Sequence, residues 1–551
     1  MSNKKSSTSF LVQGSILAMA SIISRIIGLV YRIPLTAIIG NKGNDYYGCA
    51  FEIYNILLII SSYSLPLAVS KLVSADMSLG RKKNVYRILK CALTFGLVSG
   101  TIAALILFFG AEFITGTIMK TPYSIFAVKV LVPTLIVVAV LGVLRGFFQG
   151  LGTMMPSAVS QILEQIANAI VSVWAAYVLY NYGTKVGAVL GNTENYAAAY
   201  GAAGGTLGTG TGAVIGLLFA TFVLIAYLSV FKRQMKRERR AKVDSYSYIF
   251  KILFITIIPV LMSTTIYNCN AILDQAIFKN IANLQGYSAN DISEWNGIYT
   301  GKYKTLINVP ISIASALAAS SVPALTAAYT NGKKDAVRAQ INTAIRFIMV
   351  VAFPCAVGMG VLASPILQLL FRDSSELAAS MLQLGAVSIV FFSLSTLSNA
   401  LLQGINRMRE PVKNALIALV LHIGLLVVLM YAFKLNIYAV VYANAFFGLL
   451  MCLLNAYSVR KYSGYQQEIK RTFVIPGISA LIMGVAVYLS YQLFLYILRV
   501  NAIATVFSIL IGVVVYAVVL LLLKGLTEEE ILKFPKGAAL VRLARKLHLL
   551  R

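Results

Sequence analysis

Predominantly apolar runs long enough to cross a bilayer follow one another along almost the whole chain. They fall at roughly 10–40, 50–78, 86–117, 123–148, 156–181, 198–231, 247–279, 299–328, 339–371, 377–404, 411–433, 436–459, 472–497 and 501–524. A backbone surrounded by hydrocarbon must satisfy its own hydrogen bonds, so runs of this length are read as helices. The pattern predicts an all-α integral membrane protein with about 14 transmembrane helices, the longer runs being accommodated by tilt. With 59% hydrophobic and only 12% charged residues among 551, no soluble class fits.

A formal charge of +28 raises the question of nucleic acid, and the placement of the cations answers it. Lys and Arg gather in short loops after even-numbered runs, as in Gly80-Arg-Lys-Lys83, the segment 232–240, Lys333-Lys334, Arg407-Met-Arg409 and Lys470-Arg471. Loops after odd-numbered runs, 41–45 and 373–376, are poor in them. This is the positive-inside asymmetry of a plasma-membrane protein with both termini in the cytoplasm. No nucleic-acid-binding pattern accompanies it. The first run continues past Arg25 to Gly40 without a small-residue cleavage site, which reads as a retained helix rather than a signal peptide. Five cysteines stand singly, and His422 and His548 lie far apart, so neither a disulfide framework nor a metal cluster is expected.

The chain repeats itself. Gly80-Arg-Lys-Lys-Asn-Val85 recurs as Gly332-Lys-Lys-Asp-Ala-Val337, and Phe147-Phe-Gln-Gly150 as Leu401-Leu-Gln-Gly404, at offsets of 252 and 254. Leu65-Pro66 is echoed by Val309-Pro310. Two six-helix lobes in the same orientation follow, a parallel repeat with its site between the halves. The expected domains are an N-lobe over 1–235 (spans 1–6), a basic cytoplasmic linker over 236–246 and a C-lobe over 247–465 (spans 7–12). Spans 13–14 occupy 466–524 and a cytoplasmic amphipathic tail 525–551. In that tail Thr527 and Glu530 form a capping-box pattern, and basic residues from Arg542 to Arg551 alternate with apolar ones, as in a helix lying on the inner leaflet.

Within the first span stand Arg25 and Arg32, each costing roughly 2.5–3.5 kcal/mol at a bilayer centre by insertion scales. Their seven-residue spacing is two helical turns, which puts both heads on nearly one face about 10 Å apart and points to an anion. Asp45 and Glu52 are the nearby acids that would moderate this charge. Lys302 and Lys304 precede Pro310 in span eight, where a kinked helix would line a cavity. Asp274 in span seven is a candidate salt-bridge partner or ligand for a coupling cation. Arg145 and Glu164 read as an intracellular ion pair. Glycines 204, 208, 212 and 216 form a GxxxG ladder for close helix packing rather than a phosphate loop, since no Gly-Lys-Ser/Thr ending follows. No nucleophile–base set is present, so no enzyme is expected.

Ser24-Arg25-Ile-Ile-Gly28, Leu65-Pro-Leu-Ala-Val-Ser-Lys-Leu72, Lys304-Thr-Leu-Ile-Asn-Val-Pro310, Val322-Pro323, Gln149-Gly150 and Gln403-Gly404 together give the chain a family likeness. It resembles the oligosaccharidyl-lipid flippases of the MATE-like (MOP) superfamily, of the lipid II flippase and stage V sporulation protein B types. The resemblance implies that Arg25 and Arg32 bind a substrate diphosphate, with Lys304 the nearest match to the family's basic residues in span eight. Flippases of the Gram-negative type carry an arginine in span two, and Tyr54–Ile60 has none. The implied activity is movement of a polyprenyl-diphosphate-linked cell-wall precursor, lipid II first, from the inner to the outer leaflet by alternating access. The partners are then the lipid-linked saccharide diphosphate and membrane lipids, with cell-wall synthesis proteins as candidate protein partners and no nucleic acid. No cofactor is expected, and coupling to Na⁺, H⁺ or the membrane potential stays open. Three rivals remain: a flippase for another polysaccharide unit, a MATE-type cation-coupled multidrug antiporter, and a non-transporting scaffold.

Overall fold

The computed structural model describes residues 2–236, 238, 243–532 and 537–546, with the backbone alone for residues 2–15 and a scatter of other helical positions. Among the described residues the chain is helical throughout, with no strand. It divides into two compact units, residues 1–301 and 302–551. The first holds α1 (Ser2–Leu58), α2 (Leu65–Ser78), α3 (Lys82–Glu112), α4 (Ile125–Gly150), α5 (Met155–Leu190), α6 (Thr193–Lys236), α7 (Tyr246–Leu284) and α8 (Ala289–Ile298). The second holds α9 (Lys304–Thr330), α10 (Lys334–Val361), α11 (Ala363–Phe371), α12 (Glu376–Gly385), α13 (Ser388–Gly404), α14 (Arg409–Tyr431) and α15 (Asn436–Ser463). It ends with α16 (Ile475–Leu498), α17 (Asn501–Leu522), α18 (Glu528–Ile531) and α19 (Gly537–Lys546).

Ten segments among the described residues are long and apolar enough to cross a membrane, or eleven if α12 and α13, bent by 43°, form one span. One of the ten, Met19–Ser78, runs for 60 residues through both of the first two expected spans. Helices α7 and α9 cover the runs at 247–279 and 299–328, so a helix lies over every apolar run of the sequence.

The expected loop at 41–45 is not a loop. Gly40 alone leaves the helical region, at φ 67°, and the chain resumes helix at once. Only a residue without a Cβ takes this conformation cheaply. Asn44 donates from Nδ2 to the Gly40 carbonyl at 2.7 Å, satisfying a group that the break exposes.

The glycine ladder behaves as its spacing requires. A Cβ on Gly204 or Gly208 would strike Ala175 or Ser172 of α5, and one on Gly212 would sit 2.5 Å from the Glu164 carbonyl oxygen. Helix α6 therefore lies directly on α5. A Gly212→Leu variant is expected to lose about 1–3 kcal/mol through overpacking, read as a lower melting temperature in detergent. An unchanged melt would show that the two helices can separate freely.

The sequence repeat has a packing counterpart. Gly150, at the end of α4, sits against Val73 of α2, and Gly404, at the end of α13, against Leu325 of α9. These pairs stand at offsets of 254 and 252, the spacing already seen in the motifs.

Of the basic segment 232–243, residues 237 and 239–242 lie outside the described residues. Beyond it, Asp244 pairs with Arg81 at 2.6 Å and takes a hydrogen bond from Asn84 at 2.8 Å, tying the start of α7 to the turn after α2.

In the second unit, buried Arg346 of α10 reaches Glu530 at 2.5 Å and also Glu468, fastening both ends of the α16–α17 pair. The expected capping box forms, Thr527 N–H donating to Glu530 at 2.9 Å and Glu530 N–H to the Thr527 hydroxyl at 3.4 Å. Of the tail, residues 533–536 and 547–551 lie outside the described residues, His548 among them.

Burial alone would raise the Glu468 carboxyl, but hydrogen bonds from Asn342 and Arg346 outweigh it and hold the group below its usual range. A depressed folded value contributes stability above the unfolded value of about 4.3 and loses it as pH falls through the lower folded value. The melting-temperature gap between wild type and Glu468→Gln should thus be steady at neutral pH and close below about pH 4. A gap that persists in acid would show the carboxylate charge to be irrelevant there.

Candidate functional site

The first unit encloses a cavity of about 450 Å³. Its floor is the first half of α1, contributing Ser21, Ser24, Arg25, Gly28, Tyr31 and Arg32. These positions recur every three or four residues, so one helical face turns into the cavity. After the Gly40 break the same helix returns Phe51, Tyr54 and Leu58 to it. Helix α5 presents Gln161, Glu164, Gln165 and Asn168, while α4 and α6 add Val138 and Thr209.

Arg25 and Arg32 thus share one wall, Arg25 exposed and Arg32 partly buried. The Arg32 guanidinium lies over the Tyr47 ring at 4.6 Å from its centroid and 6.0 Å from that of Phe51. Such stacking is worth about 0.5–2 kcal/mol and occupies the guanidinium's face rather than its N–H edge, part of which engages Tyr31. The lining's one carboxylate, Glu164, is already paired with Arg145 at 2.7 Å, the ion pair expected from the sequence. Two guanidiniums therefore face a wall whose single acid is neutralised from behind.

The other candidate residues are placed elsewhere. Asp45 does not line the cavity. It is 1% exposed and accepts from Lys279 at 2.6 Å, Ser293 at 2.8 Å and Asn296 at 2.6 Å. The reason is geometric, because the helix that restarts after Gly40 turns Asp45 toward α7 and α8. Glu52 does not line the cavity either, but it lies close enough to Arg32 to act on its charge. Lys302, in a short π-helical turn over Tyr299–Tyr303, pairs with Asp373 at 2.5 Å. Burial would raise that carboxyl, yet the bonds from Lys302 and the Ser375 N–H hold it below its ordinary value. Lys304 opens α9, partly buried. Asp274 is 2% exposed within α7. Among the described residues no three His, Cys, Asp or Glu come together as a metal site would need. His422 is buried and hydrogen-bonded to the Ala443 carbonyl at 2.8 Å, and all five cysteines are free.

Apart from Glu164, the polar face of α5 is absent from the candidates above, although its signal is in the sequence. Positions 161, 164, 165 and 168 follow the helical repeat inside an otherwise apolar span. Lys279 was missed as well, standing at the very end of an apolar run.

Solved structures share this architecture. An inward-facing multidrug resistance MATE family transporter of the MOP superfamily matches at TM-score 0.63, 14% identity, over 83% of this chain and all of that one. A lipid II flippase MurJ in an inward closed conformation matches at 0.64 and 15%, over 91% of this chain and 97% of that one. Fold and site together define a multi-pass, all-helical membrane protein with the architecture of these transporters, and its relatives are flippases and transporters rather than enzymes.

More narrowly, the chain belongs to the polysaccharide biosynthesis protein family, whose model matches residues 11–328, while the MatE model matches 304–428. It is 27% identical over 520 residues to the lipid II flippase MurJ of Bacillus subtilis, covering 88% of this chain and 91% of that protein. It is 25% identical to stage V sporulation protein B of the same organism, covering 84% and 85%. The likeness carried by Ser24–Gly28, Leu65–Leu72 and Lys304–Pro310 is thereby confirmed at the level of the superfamily.

Proposed function

We propose that this protein flips a polyprenyl-diphosphate-linked saccharide, lipid II first among such lipids, from the inner to the outer leaflet by alternating access. The observation that carries the reading is the joint presence of Arg25 and Arg32 on one wall of a cavity built by membrane-spanning helices. Charge of this kind inside a bilayer is costly and marks a substrate pathway. A diphosphate stripped of water needs charge-assisted donors, and guanidinium supplies them in matching geometry.

Loop charges favour cytoplasmic termini, which places the Gly40 end of the hairpin on the outer side. An anion leaving an inside-negative cell is then assisted by about 2.3 kcal/mol per charge per 100 mV. The cationic lining speaks against a drug-cation antiporter, which would place its acids there. The missing span-two arginine supports a second reading, a flippase for a related lipid-linked polysaccharide unit.

The test supplies this gene to a host whose own lipid II flippase is depleted. Wild type should restore growth and Arg25→Ala should not, at equal membrane abundance. Failure of well-expressed wild type to rescue, with restored export of another polysaccharide, would move the assignment to the second reading.

A further inference from the structure

Phosphate recognition leaves half of the cavity unexplained. A diphosphate only accepts hydrogen bonds, and the α5 wall offers it a carboxylate and carboxamide oxygens as well as amide donors. We propose that Gln161, Gln165 and Asn168, with the Glu164 carboxylate among them, form a saccharide subsite that reads hydroxyl and acetamido groups of the head group. This rests on the flippase reading, and it assigns the specificity of that same cavity to α5 while the α1 arginines hold the diphosphate.

The four side chains lie at i, i+3, i+4 and i+7, a single helical face, and all reach the cavity. Their hydrogen-bonding capacity is largely unspent. The Gln165 carboxamide has no hydrogen-bond partner among the described residues. Its Oε1 lies 4.0 Å from where a Cβ of Gly28 would be, and Gly28 sits between Arg25 and Arg32 on α1. The subsite therefore adjoins the arginine pair. Among the described residues the Gln161 side chain has only a long contact from Ser21, at 3.4 Å. Asn168 is held through its Oδ1 by Ser172 at 2.8 Å, and its Nδ2 makes only a long contact to Tyr31, at 3.4 Å. Glu164 is pinned to Arg145 through one oxygen, leaving Oε1 as an acceptor.

Such groups suit sugar hydroxyls, each of which both donates and accepts, and suit an acetamido group, which does the same through its N–H and C=O. Phe51 and Tyr54 also line the cavity, and aromatic rings suit the apolar face of a sugar ring. The wall is also rigid, since the glycine ladder of α6 is packed on the backbone of these same α5 turns.

The experiment measures binding to the full-length protein in lipid nanodiscs with two probes, a bare polyprenyl diphosphate and the same lipid bearing an N-acetylated disaccharide. Gln165→Met and Gln161→Met, which keep side-chain volume, are made singly and together. Each should lower the preference for the disaccharide lipid over the bare one by about tenfold, the loss of about one neutral hydrogen bond or slightly more. Arg32→Ala should weaken both probes and leave the preference in place. An unchanged preference in both methionine variants overturns the subsite. Equal binding of the two probes to wild type overturns it too while sparing the flippase reading, and binding of neither probe sinks that reading itself.

Discussion

Lys279→Ala is expected to cost about 3–5 kcal/mol of stability, the usual penalty for removing one member of a buried ion pair. Lys279 and Asp45 are each 1% exposed and 2.6 Å apart, and the lysine also donates to Thr121 at 2.8 Å. Truncation would leave the Asp45 carboxylate in a dry interior with only the neutral donors Ser293 and Asn296. The double variant Asp45→Asn with Lys279→Met should recover part of the loss, because no charge is then stranded. Thermal melts of the three variants in one detergent decide the matter. A loss below about 1 kcal/mol for Lys279→Ala would mean that water reaches this pair and that the burial is not maintained in solution.

Arg32→Ala should weaken binding of a polyprenyl diphosphate by roughly 10- to 150-fold, corresponding to about 1.5–3 kcal/mol for a hydrogen bond to a charged group. Arg32→Lys should fail to restore it. Lysine retains the charge but lacks the planar fork that stacks over Tyr47 and Phe51. The double change Arg25→Ala with Arg32→Ala should remove measurable binding and abolish rescue of flippase-depleted cells. If Arg32→Lys binds as wild type does, stacking is incidental and the site requires only a positive charge.

Local periodicity made much of the molecule legible. The membrane helices, the paired arginines, the α5–α6 glycine contact and the Arg145–Glu164 bridge each follow from residues a few positions apart or from the length of an apolar run. What escaped was set by distance along the chain. Asp45 was read as moderating the arginines beside it in sequence, yet its cation stands 234 residues away. The turn at Gly40 looked like a loop because Asn41-Lys-Gly-Asn-Asp45 has loop composition, whereas one left-handed residue suffices to reverse the chain. The glutamines of α5 escape such a reading because two carboxamides in an apolar span carry no charge to explain. Lys302 and Asp373 both stand out in the sequence, but nothing local links two residues on either side of three helices.

The network around Asp45 also sets an order of events during synthesis. The carboxylate leaves the ribosome in the first hairpin, but the groups that satisfy it follow 234, 248 and 251 residues later. Until α7 and α8 are made, the first two membrane crossings hold an acid with none of these partners. A nascent chain halted at residue 236 therefore lacks these partners, and the Asp45 network closes only once Asn296 has been made.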